Sequence, residues 1–154
     1  MIRLRPLTDK DHPFIEKLYR STKEKGLDLN KSWTELQKDA FFRMQSILQD
    51  TQYRKAFPNA VFEIIEYNKK TIGRLYTDEN EHEIRGIDIS LLPEFRGKGI
   101  GTKILKSLLA KAADKQKIFS TQVERNNPAY HLYLRLGFKY TGDNGTYYCV
   151  EYRP

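Results

Sequence analysis

The sequence predicts a single α/β domain built on a mixed, mainly antiparallel central sheet of about seven strands, flanked by about four helices. Three observations predict it. The hydrophobic period switches along the chain from helical spacing to alternation and back. Three alternating segments between residues 60 and 92 are joined by turn-type residues, the pattern of an antiparallel meander. A glycine-rich stretch then leads from the third of these segments into a strongly amphipathic helical pattern.

Residues 2–7 (IRLRPL) alternate apolar and polar and predict a short first strand. Thr8-Asp9-Lys10-Asp11 reads as a helix start, with a capping side chain at Thr8 and acids in the first turn. Ile15, Leu18 and Tyr19 share one face of that helix, and Gly26 is placed to end it. Ser32 with Glu35 three residues on predicts a second start by a capping box. The segment that follows carries Leu36, Ala40, Met44, Ile47 and Leu48 at helical spacing, and Pro58-Asn59 closes it. Residues 60–67, 71–77 and 82–92 are the meander, with turns at 68–70 and 78–81. Beyond the glycines, Ile100, Ile104, Leu105, Leu108, Leu109 and Ala112 form one stripe, while Lys103, Lys106 and Lys111 point elsewhere. Residues 118–123 (IFSTQV) predict a buried strand, and Pro128 opens a short helix that Gly137 terminates. Two last strands flank Asp143-Asn144-Gly145, a strong hairpin signal.

Bulk properties narrow the function classes. At 154 residues the chain has the size of one domain, without repeats or low-complexity tracts. No window approaches the ~20 apolar residues that span a bilayer, and the N-terminus lacks a signal peptide's apolar core, so a cytoplasmic protein away from membranes is expected. The one cysteine, Cys149, excludes an internal disulfide framework and a CxxC cluster. His12, His82 and His131 show no metal-ligand spacing, and no metal is expected. The net charge of +7 favours anionic partners. The basic residues nevertheless alternate with acids (Lys10 and Asp11, Lys23-Glu24-Lys25, Lys38-Asp39), which marks solvated helix faces rather than the contiguous basic stripe of a nucleic-acid-binding module.

The most informative stretch is LLPEFRGKGIGTK, residues 91–103, where three of the nine glycines fall within five positions. A strand running into spaced glycines and then a helix presents unpaired backbone N–H groups and a positive dipole end, a ready site for phosphate. Glycine admits positive φ and close approach of a ligand to the backbone. Arg96 and Lys98 add charge suited to a pyrophosphate. The P-loop spacing GxxxxGK[ST] is absent, and the dinucleotide fingerprint GxGxxG fails because Thr102 and Ile104 stand where its third glycine would be. The pattern that fits is [R/Q]xxGxG/A, met by Arg96-Gly97-Lys98-Gly99-Ile100-Gly101.

With that segment the chain resembles the GNAT superfamily of acyl-CoA-dependent N-acyltransferases, over essentially its whole length. Residues 91–112 look like that family's coenzyme A-binding segment. Residues 123–138 (VERNNPAYHLYLRLGF) look like its second signature, V-x-x-x-N-x-x-A-x-x-L-Y-x-x-x-G-F, through Val123, Asn127, Ala129, Leu132, Tyr133, Gly137 and Phe138. The interval to Ala129 is shorter from Asn127 than from Asn126, so either asparagine could fill the family's position.

The resemblance implies acetyl-CoA as cosubstrate and transfer of its acetyl group to a primary amine in a ternary complex. It implies that Gly97, Gly99, Gly101 and Thr102, with Arg96, Lys98 and Ile100 in the same segment, bind the pyrophosphate; the competing reading is a tight turn that serves only packing. It implies that the backbone at Ile89, Ser90 and Leu91 pairs with the pantetheine arm as an added strand; otherwise this is ordinary sheet. Tyr133 matches a tyrosine that protonates the departing thiolate, against a plain core aromatic. Asn126 or Asn127 would bind pantetheine or a water, against an Asn-Pro helix start. Asp88, the acid well inside the third meander segment, is the candidate general base, with Glu63 behind it and a water relay as the alternative. Cys149 reads as packing. Trp33, Phe41 and Phe42 either line an acceptor pocket or fill the core. Glu16, Glu24, Asp28 and Glu35 could attract a cationic acceptor, which would be a small-molecule or peptide amine. Family habit allows a homodimer. The rival classes are a non-catalytic acyl-CoA sensor and a basic nucleic-acid-binding module.

Overall fold

The computed structural model describes residues 1–24 and 32–154. Strand β1 (Ile2–Pro6) is followed by helices α1 (His12–Lys23) and α2 (Glu35–Ala56). The meander is β2 (Val61–Tyr67), β3 (Lys70–Glu79) and β4 (Glu83–Leu91). Helix α3 (Ile100–Asp114), β5 (Ile118–Glu124), α4 (Ala129–Arg135), β6 (Lys139–Asp143) and β7 (Tyr147–Tyr152) complete the chain. The seven strands form one sheet in the order β1-β2-β3-β4-β5-β7-β6. It is mixed: β4 and β5 are parallel, joined by the crossover through α3, whereas β1–β2, β5–β7 and β6–β7 are antiparallel. Contacts gather into two compact units, residues 1–75 with 90–95, and residues 76–89 with 96–154.

In the first unit, α1 turns Ile15, Leu18 and Tyr19 inward as its spacing predicts, and Phe42, Ile64, Ile65, Ile72 and Leu75 are buried with no more than 2% of their surface exposed. The helix start at Thr8 holds, with a single 3₁₀ turn over Asp9–Asp11 before α1 proper. Asp11 accepts the Thr8 N–H (2.8 Å) and a bidentate pair of bonds from Arg5 (2.8 and 2.9 Å), and Arg5 also reaches Glu66 on β2 (2.9 Å). The β2–β3 turn is tight, with Asn68 and Lys69 both at positive φ. Gly73 is required by contact rather than by φ: a Cβ there would stand 2.2 Å from the Ser90 carbonyl oxygen.

One expectation for α2 needs correction, and its apolar stripe has an orientation that spacing leaves open. The capping box forms two residues later than Ser32 and Glu35 suggest: Thr34 Oγ1 accepts from the Gln37 N–H (3.1 Å) and Gln37 Oε1 accepts from the Thr34 N–H (2.8 Å). Both segments carry the Ser/Thr-x-x-Glu/Gln spacing, and packing selects between them. The apolar stripe faces outward. Leu36, Met44, Ile47 and Leu48 are exposed, and the residues α2 buries are Phe42 and Ser46. The proposed stop at Gly26 lies outside the described residues.

The second unit has its own core of Ile84, Leu105, Leu109, Ala112, Phe119, Val123, Tyr133, Phe138 and Val150. Here the α3 stripe is buried as its spacing predicts, and the Asp143-Asn144-Gly145 hairpin forms with Gly145 at φ +92°.

Three stability outcomes follow. Gly73→Ala should lower stability by about 3 kcal/mol in thermal or denaturant unfolding, because the atom it strikes is backbone and cannot swing aside. Thr34→Ala should lose about 1 kcal/mol of cap energy in the same assay. The Arg5 guanidinium holds the Asp11 carboxyl down from its ordinary 3.8 to about 2, against the opposing effect of burial. The folded state therefore binds its proton less readily than the unfolded chain. The contribution, about 2 kcal/mol, is present above pH ~4 and is lost as pH falls towards ~2. Asp11→Asn should flatten that acid limb in unfolding measured against pH.

Candidate functional site

Most of the candidate residues lie within the second unit: Asp88, Ile89, the segment Arg96–Thr102, Asn126, Asn127 and Tyr133. The site begins where β4 outruns its parallel neighbour. The β4–β5 ladder runs from Glu83 opposite Ile118 to Gly86 opposite Thr121, and the Thr121 hydroxyl closes it by donating to the Gly86 carbonyl at 2.9 Å. Residues 87–89 continue β4 beyond that ladder, with Asp88 and Ile89 half-buried. Ser90 and Leu91 end the strand in the first unit, packed over Gly73.

A 3₁₀ turn over Pro93–Phe95 leads from β4 to the glycines. Gly97 and Gly99 take φ of +72° and +82°, which non-glycine residues rarely adopt, and a Cβ on either would meet nothing within 4 Å. Protein packing is therefore not what excludes a side chain there. The left-handed backbone is, and it leaves the outer side of the turn accessible to a ligand. Gly99 is the N-cap of α3 and offers no capping side chain, and no acid stands in the first turn. The N–H groups of that turn keep their donor capacity and the dipole's positive end is unneutralised. Gly101 lies within the first turn in helical conformation, Thr102 is half-buried, and the Ile100 side chain is buried, which limits Ile100 to a backbone role. Arg96 and Lys98 are exposed beside the turn.

Tyr133 is on α4, with 8% of its surface exposed. The end of α4 fixes its ring. Gly137, at φ +100°, reverses the chain, and the Phe138 N–H returns to the Tyr133 carbonyl at 3.0 Å. This Schellman-type closure brings the Phe138 ring edge-on to Tyr133, with centroids 5.1 Å apart. Burial, aided by the negative charge of Asp88, pushes the Tyr133 phenol up from 10.0 to about 12. It stays protonated throughout the neutral range, suited to giving a proton rather than taking one. The structure thus brings Tyr133 and Asp88 into electrostatic contact.

Asn127 is occupied structurally: its Oδ1 accepts the Ala129 N–H at 2.9 Å, so its side chain serves the turn into α4. Asn126 is exposed beside it. Glu63 lies on β2 of the first unit, opposite Pro6 of β1. Phe42 is core, with Arg20 over its ring at 5.1 Å, and Phe41 bridges it edge-on to a half-buried Trp33. Three acids offered as attractors are engaged at home: Glu24 and Glu35 by Arg20 (2.9 and 3.0 Å) and Glu16 by Arg43 (3.5 Å). Asp28 lies outside the described residues. Cys149 is half-buried, with Gln122 Nε2 3.6 Å from its sulfur. Among the described residues no group of three or more His, Cys, Asp or Glu side chains is arranged to hold a metal, and no helix is long and apolar enough to cross a membrane. Sequence reasoning missed Gly137 and Phe138 as the residues that position Tyr133; the signal was present in the Gly-Phe pair that ends the second signature.

The architecture and this site define an acetyltransferase fold. The model of the acetyltransferase (GNAT) family matches residues 28–138, well over half of the chain, and the protein belongs to that family. No curated protein sequence matches it. Among solved structures it is similar to the PaiA N-acetyltransferase of Thermoplasma acidophilum in complex with coenzyme A, at 18% identity and a TM-score of 0.70, covering 100% of this chain and 99% of that one. An acetyltransferase from Thermus thermophilus is 19% identical with a TM-score of 0.73, covering 100% and 97%. Naa50 of Arabidopsis thaliana, in complex with the bisubstrate analogue CoA-Ac-MVNAL, is 15% identical with a TM-score of 0.63, covering 99% of each chain.

The phenol supplies a direct check. A spectrophotometric titration of tyrosinate absorbance should contain a component near pH 12 that is missing from Tyr133→Phe. Because the folded value exceeds the unfolded one, stability linked to Tyr133 should be intact below pH ~10 and fall as pH rises towards ~12.

Proposed function

We propose that this protein is an N-acetyltransferase, working as one domain, that moves an acetyl group from acetyl-CoA to a primary amine by direct attack in a ternary complex. The observation that carries the reading is the pairing, within one compact unit, of an open left-handed glycine turn at the N-terminus of α3 with a buried, neutral phenol on α4.

The residues present fit coenzyme A. The N–H groups at Ile100, Gly101 and Thr102, with the turn at Gly97 and Gly99, donate to the pyrophosphate oxygens, and Arg96 and Lys98 add positive charge. The backbone of β4 at Ile89 offers strand-type bonds to the pantetheine arm. An N–H there donates to the thioester oxygen as the amine attacks and negative charge develops on it. Asp88 accepts the proton that the acceptor ammonium must lose before its lone pair can attack, directly or through a water. As the C–S bond breaks, the Tyr133 O–H donates its proton to the departing sulfur. Asn126, rather than the occupied Asn127, is the asparagine left to meet the cofactor. Holding amine and thioester together supplies much of the acceleration.

The acceptor is a small-molecule or peptide amine. The peptide-bearing analogue bound to the Naa50 relative supports the second as a class to test. A cytoplasmic setting, where acetyl-CoA is present, suits this chemistry.

Three outcomes test the reading. Isotope-labelled acetyl-CoA incubated with the protein and a metabolite-plus-peptide extract should give a labelled amide, identified by mass spectrometry. Binding of acetyl-CoA without any labelled product would favour a sensing domain. Tyr133→Phe should lower kcat by about 100-fold while leaving acetyl-CoA affinity unchanged by calorimetry. Gly99→Val should instead weaken that affinity by at least about tenfold, because the cap cannot hold its left-handed backbone.

A further inference from the structure

The stretches that hold α3 and α4, residues 95–113 and 125–142, contain no aspartate or glutamate apart from the last residue of α3, Asp114, which follows the first stretch. Helices α1 and α2 instead mix both signs and pair them, as Arg20 does with Glu35 and Asp39, and Arg54 with Asp50. Helix α3 buries Ile104, Leu105, Leu109 and Ala112 and turns Lys103, Lys106, Ala110 and Ala113 to solvent. On α4 Tyr133 is buried, and His131, Leu134 and Arg135 are exposed. Leu105, Leu109 and Ala112 share one core with Tyr133 of α4 and with Phe119 and Val123 of β5. Both helices therefore cover the same face of the sheet, and their outer sides belong to one layer. Lys111 is engaged by Glu79 at 3.4 Å. Among the described residues, no ion pair or side-chain hydrogen bond engages Lys103, Lys106 or Arg135. Solvated helix faces ordinarily alternate in sign, and this one does not.

We propose that this surface docks an acidic carrier protein, one that presents the acyl group on a serine-linked phosphopantetheine arm and serves as a donor beside free acetyl-CoA. The inference rests on the donor chemistry proposed above and names a second source for it. The surface starts at the glycine turn: Lys103 and Lys106 follow Ile100 by about 4.5 and 9 Å along the axis of α3. A protein bound over them lays the phosphate of its arm at the uncapped helix start. Coenzyme A and such an arm share phosphate and pantetheine, so the turn and the Ile89 backbone serve either donor. What distinguishes the carrier is its negative protein surface, and the unpaired charge of Lys103, Lys106 and Arg135 complements it. Ala110, Ala113 and Leu134 stand among these cations, small and aliphatic, suited to packing against a helix of the partner. No exposed residue of α3 or α4 is phenylalanine, tyrosine or tryptophan, so a nucleobase finds no ring to stack on, and a protein fits better than a nucleic acid. An encounter that must end after each transfer suits a small charged interface, below about 1,200 Å². The step balances as it does with coenzyme A. The amine nitrogen bonds to the acyl carbon and loses a proton, the C–S bond breaks, and the arm leaves on the carrier as a thiol.

A bacterial acyl carrier protein, acetylated on its arm and labelled with a fluorophore, tests this by anisotropy, with acetyl-CoA binding measured beside it by calorimetry. The carrier should bind with a micromolar dissociation constant at low salt and be released as salt is raised. Lys106→Glu and Arg135→Glu, each at an exposed position, should each weaken carrier binding by about tenfold. Acetyl-CoA affinity and the circular dichroism spectrum should stay unchanged in both. In the isotope-labelled extract assay, acetyl supplied on the carrier should reach the same amide as acetyl supplied on coenzyme A. Acetyl-CoA binding without carrier binding overturns the proposal and leaves the acetyltransferase reading standing. Carrier binding indifferent to both charge reversals overturns it as well, as does tighter binding of an RNA duplex that the same variants abolish. Failure of both donors to bind would overturn the donor chemistry itself, and this proposal with it.

Discussion

The geometry of the second unit depends on one constraint, the backbone path from β4 to α3. A parallel strand pair needs a crossover, and here the crossover must leave β4, reverse, and start α3 pointing back. Two left-handed residues accomplish the reversal, and glycine is the residue that holds such a backbone without strain. The same solution leaves α3 with no side-chain cap, so its donors face outward. A topological requirement and the proposed anion site are therefore met by the same few atoms. A capping side chain at Gly99 would have to hold that left-handed backbone, so the helix start stays uncapped.

The chemistry of Tyr133 shows the same economy at a helix end. A glycine that terminates α4 returns the Phe138 N–H onto the Tyr133 carbonyl and sets one ring edge-on to the other. The motif ends the helix, contributes to the core, and orients a phenol, and the burial it creates is what keeps that phenol protonated. The electrostatics follow from the packing. Asp88 reinforces it by opposing a second negative charge nearby.

The first unit relies on ion pairs to join its elements. Arg5 couples β1 to the start of α1 and to β2, and Arg20 on α1 engages Glu24, Glu35 and Asp39, two of them on α2. This use of the acids explains why acidic residues around α1 and α2 are poor guides to a cationic substrate: their charge is spent on neighbours. On its solvent side α2 carries an aliphatic stripe, Leu36, Met44, Ile47 and Leu48, beside its charged residues.

Much was determined by the sequence alone, because local rules sufficed. The seven strands, the four helices and the tight turns follow from periodicity, glycine and Asn/Asp placement, and the role proposed for the glycine turn could be read there because positive φ and uncapped donors are properties of a short segment. The buried stripe of α3 was legible because every apolar residue at its spacing points one way. Tertiary structure decided the rest. It chose Thr34 over Ser32 as the cap of α2, since two segments satisfied the same local pattern. It turned the Leu36–Leu48 stripe outward, since spacing says that residues share a face but not which layer that face meets. It also gave Asn127 to a turn and linked Asp88 to Tyr133, residues far apart in the chain whose proximity no local rule encodes. Short-range preferences are written in neighbouring residues, whereas burial and charge coupling arise only when distant segments pack.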